Sequence, residues 1–232
     1  MYNKFKIFSI ASFCLLFVMC NQKEKLNTDN EVILKGNATL LVDETLTPII
    51  EDQVAVFESN YKAKFNIISK SESEIVNSFL TGKSVIAVLS RRLSDQENKI
   101  FEQKKIIPKT TKFATDAIAF ISNKSTTDTL IDLKSIVDYL QGINKGKIKG
   151  LVFDNPNSST VRYMNLLAGI KSAPEKGIYS FKTNDEVIKF VSENQGMIGI
   201  VGVNWLSQPS LNMVKYVNQV NVYSVKGLKG TN

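Results

Sequence analysis

The sequence predicts an α/β protein of two similarly built lobes, each a parallel sheet flanked by helices. Two observations carry that expectation. From Glu31 onward, short apolar runs of strand character alternate with amphipathic segments of helical period, and near residue 113 the alternation starts again. Three capping boxes, Ser71–Glu74, Ser94–Glu97 and Thr183–Glu186, place helix starts inside that rhythm. With 43% hydrophobic and 22% charged residues over 232 positions, the chain is globular in composition and long enough for one large core or two small ones.

The first thirty residues stand outside the rhythm. Lys4 and Lys6 precede an apolar run from Ile7 to Met19, broken only by Ser9 and Ser12. That run is shorter than the ~20 residues a membrane-spanning helix needs, so residues 1–19 read as a secretory signal peptide. Phe-Val-Met-Cys20 resembles a bacterial lipoprotein cleavage box, which makes Cys20 the lipidation site; the alternative is a soluble exported protein with Cys20 as a buried thiol. Residues 20–30 hold almost no apolar side chain and read as a tether. Cys14 leaves with the peptide, so no disulfide is expected. Loss of Lys4 and Lys6, with no acid beside them, takes the net charge from +7 to +5.

In the first lobe Ala38–Val42 reads as a strand, followed by a helix capped by Thr45 or Thr47. Pro48 falls in its first turn, where a missing N–H costs nothing, and Ile49, Ile50, Gln53, Val54 and Phe57 recur at helical spacing. Phe65–Ser69 is the next strand. The Ser71 box opens a helix with Ile75, Val76, Phe79 and Leu80 inward and Gly82 at its end. Val85–Leu89 is an unbroken apolar run, expected to be a parallel strand buried on both faces. A Ser90-Arg-Arg-Leu loop leads into the Ser94 box and another helix.

The second lobe starts with a long strand over Phe113–Ser122. A helix follows from about Thr129, with Leu133, Ile136, Val137 and Leu140 inward and Gly142 ending it. Leu151–Phe153 is a short strand that runs into a polar loop and a helix carrying Met164, Leu167 and Ile170. The Thr183 box turns Val187, Ile188, Phe190 and Val191 inward, and Met197–Val203 is the most apolar strand. Met213–Val217 and Val220–Val225 read as strands with no closing helix, so either the fold ends on open strands or the sequence is a C-terminally truncated fragment.

Histidine is absent and only two cysteines occur, which removes His-based acid–base catalysis, Cys–His nucleophiles and the usual Zn, Fe and Cu ligand sets. The basic residues are scattered, unlike a nucleic-acid footprint; mild basicity suits a small anion or an anionic membrane surface. Three loops fall between strand ends and helix starts: Asp43-Glu44-Thr45, Ser90-Arg91-Arg92, and Asn155 to Thr160. Ligands of open α/β sheets bind there. Helix N-termini offer free N–H groups and partial positive charge to an oxyanion, hydroxyls add donors, and Arg adds bidentate ones. Each loop alone is also a plain helix cap. Three on one side are a stronger signal.

Phe153-Asp-Asn-Pro-Asn-Ser-Ser-Thr-Val-Arg162 resembles the Ser-Gly-Thr phosphate loop of PstS-like phosphate-binding proteins, the extracytoplasmic receptors of phosphate ABC transporters. Thr115–Asn123 followed by Leu133–Gly142 is similar to the start of that family's second lobe, and Gly196–Gly202 to the strand closing it. The likeness runs from about Ile33 to Val225. It implies a type II periplasmic-binding-protein fold, with lobes over 31–112 and 113–211, a hinge, and a ligand cleft between them. Residues 212–232 would return toward the first lobe, and the shortness of that portion supports truncation. The resemblance further implies a monomeric, non-catalytic receptor for inorganic phosphate or a similar tetrahedral oxyanion. It would need no cofactor, bind no nucleic acid, serve ABC transporter permease subunits, and face the periplasm or cell exterior on a lipid anchor.

Carried across residue by residue, Asn157, Ser158, Ser159 and Thr160 match the second-lobe loop, with Ser159 where the family has Gly. Thr45 matches the first-lobe hydroxyl ligand, and Ser90 the Ser after the third strand. The family's Arg and Asp fall on Asp154 and Pro156, so Arg91 is expected to supply the cation and Asp154, Asp43 or Glu44 the carboxylate. A carboxylate in a buried anion site accepts the proton of hydrogen phosphate and repels sulfate, so acids in these loops favour phosphate.

Two rival readings exist. Ser59-Asn-Tyr-Lys62 has the Ser-x-x-Lys spacing of a serine hydrolase, without Ser-Asp-Asn or Lys-Thr-Gly partners. No Walker loop, Gly-x-Ser-x-Gly or dinucleotide fingerprint occurs. The absent family Arg also admits a ligand-free adhesion or scaffold lipoprotein on the same fold. Trp205, the single Trp, is expected to pack within the second lobe.

Overall fold

A computed structural model describes residues 35–143 and 148–228. The signal peptide, Cys20 and the tether expected from the sequence lie outside the described residues.

In the first lobe β1 (Lys35–Asp43) pairs in parallel with β2 (Lys62–Lys70) along its whole length, and β3 (Ile86–Val88) adds to its other side. Parallel strands need crossovers, supplied by α1 (Thr47–Asn60) and α2 (Glu72–Leu80); α3 (Asp95–Gln103) follows β3. The two-residue period of β1 sends Leu40 and Val42 to one face, where Leu46 and Ile50 complete a small core. Both capping boxes form: Glu74 accepts from Ser71, and Ser94 with Glu97 satisfy each other.

Two expectations change here. Asp43, rather than Thr45 or Thr47, caps the turn after β1, its Oδ1 accepting from Thr45 N at 3.3 Å. The chain turns as soon as β1 ends, through a 3-10 turn at Glu44–Leu46, so the strand's last side chain is the oxygen nearest the freed N–H. Nor is β3 buried on both faces. It is three residues long at the sheet edge, with one strand neighbour, and Val85 before it is 89% exposed.

The second lobe uses β4 (Ile118–Asn123), β5 (Leu130–Asp132), α4 (Leu133–Leu140), β6 (Gly150–Phe153), α5 (Ser159–Leu167), β7 (Ile178–Ser180), α6 (Asn184–Glu193) and β8 (Met197–Gly202). Two helical turns, α7 (Asn204–Ser207) and α8 (Val214–Val217), lead to β9 (Val220–Val222) and β10 (Ser224–Lys226). The main sheet has the order β7-β6-β8-β4-β9, with β6, β7 and β8 parallel and β4 antiparallel to both its neighbours. Alternation fills both faces. Phe120, Leu151, Phe153 and Ile200 pack with Ile136, Leu140 and Met164 of α4 and α5. Ala119, Ile121, Val152 and Val201 pack with Val187, Ile188 and Val191 of α6.

The ends of several segments differ from expectation. Strand β4 begins at Ile118, and residues 113–117 line the cleft outside the sheet instead, with Ala117 O accepting from Val203 N at 3.0 Å. Leu130–Asp132 forms β5 before the helix, whose cap is Asp132, accepting from Lys134 N at 2.9 Å. Met213–Val217 contains the α8 turn, not a strand, and buries Met213 against α6's core. The C-terminal segment does not return toward the first lobe: β9 extends the second-lobe sheet beside β4, and β10 pairs with β5. β4 offers an open edge there, and Val220 gains burial by covering it.

Candidate functional site

The three loops expected to form a site converge. β1 ends at Asp43, β6 ends just before Asp154, and Ser158 caps α5, its Oγ accepting from Val161 N at 3.2 Å. Thr45 and Ser159, from opposite lobes, share a hydrogen bond between hydroxyls at 2.9 Å. Thr45 Oγ1 also donates to Asp43 Oδ1 at 3.0 Å, and Ser158 Oγ donates to Asp154 Oδ1 at 2.5 Å. Asp43, Thr45, Asp154, Ser158, Ser159 and Thr160 are all buried. Asn157 remains exposed; its carbonyl accepts from Ser73 N of α2 at 3.4 Å, a second contact across the lobes.

Thr45, Ser90, Ser159 and Thr160 line one cavity of about 670 Å³, together with Lys112, Asp116 and Arg162. The free N–H groups of α5's first turn lie in the same wall, giving it partial positive charge. Arg91 does not line it. Its Nη1 and Nη2 fork onto Glu97 at 2.7 and 2.9 Å, and its Nε donates to Glu72 at 2.9 Å. Arg91 therefore ties the first lobe's loops to α3. Arg162 of the second lobe reaches across to the same Glu72 Oε1 at 2.7 Å.

Behind the hydroxyls lies a cluster of acids. Burial pushes Asp43 up to about 6 and Glu72 adds repulsion, although the Ser159 and Thr45 hydroxyls oppose both. Burial raises Glu44 to about 8, with Asp154 adding repulsion against the stabilising amide of Asn184. Asp154 rises to about 7, again chiefly from burial, opposed by Ser158 and reinforced by Asp43. Asp43 Oδ2 accepts no hydrogen bond from any described residue, although the side chain is fully buried. Such an acceptor suits a ligand that brings its own proton. Among the described residues no group of three or more Cys, Asp or Glu is arranged to hold a metal ion.

Sequence reasoning missed four contributors. Asn184, first residue of α6, donates through Nδ2 to Glu44 Oε2 at 2.8 Å and Asp154 Oδ2 at 3.2 Å, and accepts from Gly202 N at 3.1 Å. It follows β7 as the other loops follow their strands, so position alone could have flagged it. Asn204 donates to Thr45 O at 2.6 Å. Glu72 and Arg162 carry no such mark, because first-turn polar residues ordinarily face water. Ser59, the hydroxyl of the Ser-x-x-Lys spacing, is exposed and donates to Val56 O at 2.8 Å, a plain helix-end contact. Trp205 packs against the Met213 side of the second-lobe core.

The comparisons agree with this architecture. The profile of the PBP superfamily domain matches residues 34–231. Among solved structures, a Clostridium perfringens protein described as a phosphate ABC transporter substrate-binding protein, with bound phosphate, superposes at a TM-score of 0.63. It is 19% identical over 84% of this chain and 78% of its own. An ABC-type phosphate transport receptor from Vibrio cholerae gives 0.54 at 13% identity, covering 82% and 76%. The regulatory domain of Synechocystis CcmR in complex with 2-PG gives 0.58 at 10%, covering 85% and 90%. At such identities the likeness is one of fold. No curated protein matches by sequence at a significant level. With nearly the whole described chain inside the matched region and both lobes in place, this protein belongs to the PBP superfamily.

Proposed function

We propose that the protein is an extracytoplasmic solute-binding receptor that captures inorganic phosphate, or a similar tetrahedral oxyanion, for the permease of an ABC transporter. The contact between Thr45 and Ser159 carries the reading: hydroxyls of two lobes meet at 2.9 Å beside a helix N-terminus, with the buried acceptor of Asp43 next to them. An anion between those hydroxyls takes over their mutual hydrogen bond and gains the α5 amides. Closure removes water, so each charge-assisted bond counts for more. Asp43 then reads protonation. Hydrogen phosphate donates to its Oδ2, whereas sulfate brings no proton and meets repulsion.

The receptor works without chemistry on its ligand, and the N-terminal segment supplies its place. Residues 1–19 direct export, lipid on Cys20 anchors the chain, and residues 20–30 give the lobes reach from the membrane. The alternatives of a ligand-free scaffold and a serine hydrolase gain nothing from the geometry: the cleft retains buried donors, and Ser59 lies on an exposed helix end. Isothermal titration with phosphate and sulfate tests the reading. Tight phosphate binding, with sulfate at least about tenfold weaker, is expected. Absence of phosphate binding overturns the receptor assignment, and equal affinity for both anions overturns the role given to Asp43.

A further inference from the structure

We propose that Arg162 is the cation of the cleft and that Glu72, on the opposite lobe, aims it. The proposal rests on the receptor reading and names the charge that reading lacks. Arg162 lines the same cavity as Thr45, Ser90, Ser159 and Thr160, and its side chain remains 38% exposed. Only its Nε is engaged, on Glu72 Oε1 at 2.7 Å; its two terminal nitrogens make no hydrogen bond to a described residue. Arg91 has every nitrogen on a carboxylate or carbonyl and cannot turn to a ligand without breaking its fork on Glu97.

Glu72 is 2% exposed although it carries a charge, and three side chains converge on it: Ser90 on Oε2, Arg91 and Arg162 on Oε1. A carboxylate this buried has one rigid position, so the guanidinium held by it has one orientation. Glu72 belongs to α2 of the first lobe and Arg162 to α5 of the second. The bond that orients the cation therefore exists only when the lobes are shut. In the open receptor Arg162 is a flexible surface cation. In the closed one, its planar fork belongs to the same cavity wall as the hydroxyls, with two N–H-bearing nitrogens available to an oxyanion while the third holds the latch. Ligand affinity and closure are thereby one equilibrium.

Lysine cannot do both tasks, because one ammonium has no fork to divide between Glu72 and an anion. Lys112, exposed on the cavity wall, is the competing source of charge. Phosphate titrations on the full chain separate these cases. Arg162→Gln is expected to weaken phosphate binding about 10- to 100-fold, and Arg162→Lys to recover little of it. Glu72→Gln keeps the shape but weakens the aim; it is expected to raise the phosphate dissociation constant about tenfold and to reduce ligand-induced compaction in small-angle scattering. A merely structural Glu72 would lower the melting temperature and leave both readouts unchanged. Wild-type binding that survives Arg162→Gln, or is lost equally on Lys112→Gln, overturns this proposal and leaves the receptor reading standing. Wild-type protein that binds no phosphate overturns both.

Discussion

Asn184→Asp is the sharpest probe of the buried acids, because it swaps one donor for one charge at constant shape. Asn184 Nδ2 holds Glu44 Oε2 and Asp154 Oδ2 together across the two lobes, at 2.8 and 3.2 Å. At about pH 8 Asp154 is ionised, Glu44 half so, and the new carboxylate repels both where the amide attracted them. Two hydrogen bonds to charged groups are worth about 1.5–3 kcal/mol each, so the folded state should lose about 3–6 kcal/mol. At about pH 5 both neighbours hold protons and can donate to the new carboxyl, and the loss should shrink to about 1–2 kcal/mol. Urea unfolding at the two pH values measures the difference. Equal losses at both would show that the acids do not hold protons in the closed cleft, and the electrostatic picture would fall. Wild-type stability supplies the baseline. Raised folded-state values at Asp43, Glu44 and Asp154 mean that the folded chain keeps protons the unfolded chain has released, so stability falls as pH rises from about 4 to about 8. Glu97, held down to about 2 by Arg91, acts oppositely: its contribution is present above its ordinary value and is lost as pH falls through about 2. The optimum should therefore lie near the ordinary carboxylate range.

Three further outcomes follow from single contacts. Asp43→Asn replaces the unpartnered Oδ2 with a donor, and the preference for phosphate over sulfate should fall at least about tenfold in competitive titration; an unchanged ratio would remove Asp43 from discrimination. Gly199→Ala puts a Cβ 2.8 Å from Ile121 and 2.9 Å from Val191, beneath the helix that carries Asn184. It should cost about 1–3 kcal/mol in denaturant unfolding and also weaken phosphate binding, whereas unaltered stability would mean that α6 is not packed this closely. Cys20→Ser should move the exported chain from the membrane fraction to the soluble one; retention on the membrane would exclude a lipid anchor at that residue.

What the sequence disclosed was set by local physics. Helix starts at Ser71, Ser94 and Thr183 were legible because a four-residue pattern suffices to satisfy a helix start, and all three helices begin there, although Glu186 closes on Lys182 N rather than on Thr183. The buried faces of α4 and α6 were legible from period alone. Val85–Leu89 misled because an apolar run does not reveal how many strands will flank it, and β3 has one neighbour. Met213–Val217 misled because β-branched residues fit a short helical turn when Met213 is what needs burial. The site divides in the same way. Thr45, Ser158, Ser159 and Thr160 lie at loop positions that strand-to-helix order identifies. Arg162 and Glu72 depend on a contact between residues ninety apart, and no local pattern in either helix announces it.

The acids and the proposed ligand are also coupled through protons, which gives the receptor reading a thermodynamic signature independent of any mutation. At about pH 8, where phosphate is already chiefly the dianion, Asp154, at about 7, is mostly ionised and Glu44, at about 8, is half ionised. A dianion sealed beside them disfavours both charges, so both values must rise on binding, whereas Asp43 keeps its charge by accepting from the proton of hydrogen phosphate. Asp154 and Glu44 have the most room to respond, and together they should draw about one proton from the buffer per anion bound. Affinity must then fall as pH rises across the same range, since uptake on binding and loss of affinity with pH are one relation. Calorimetric titration in two buffers of different ionisation enthalpy reads the proton count directly, because the apparent heat shifts in proportion to it. Proton release on phosphate binding at that pH, or none exchanged, would mean that the anion sits away from the Glu44–Asp154 pair, and the cleft hydroxyls would have to serve some other ligand.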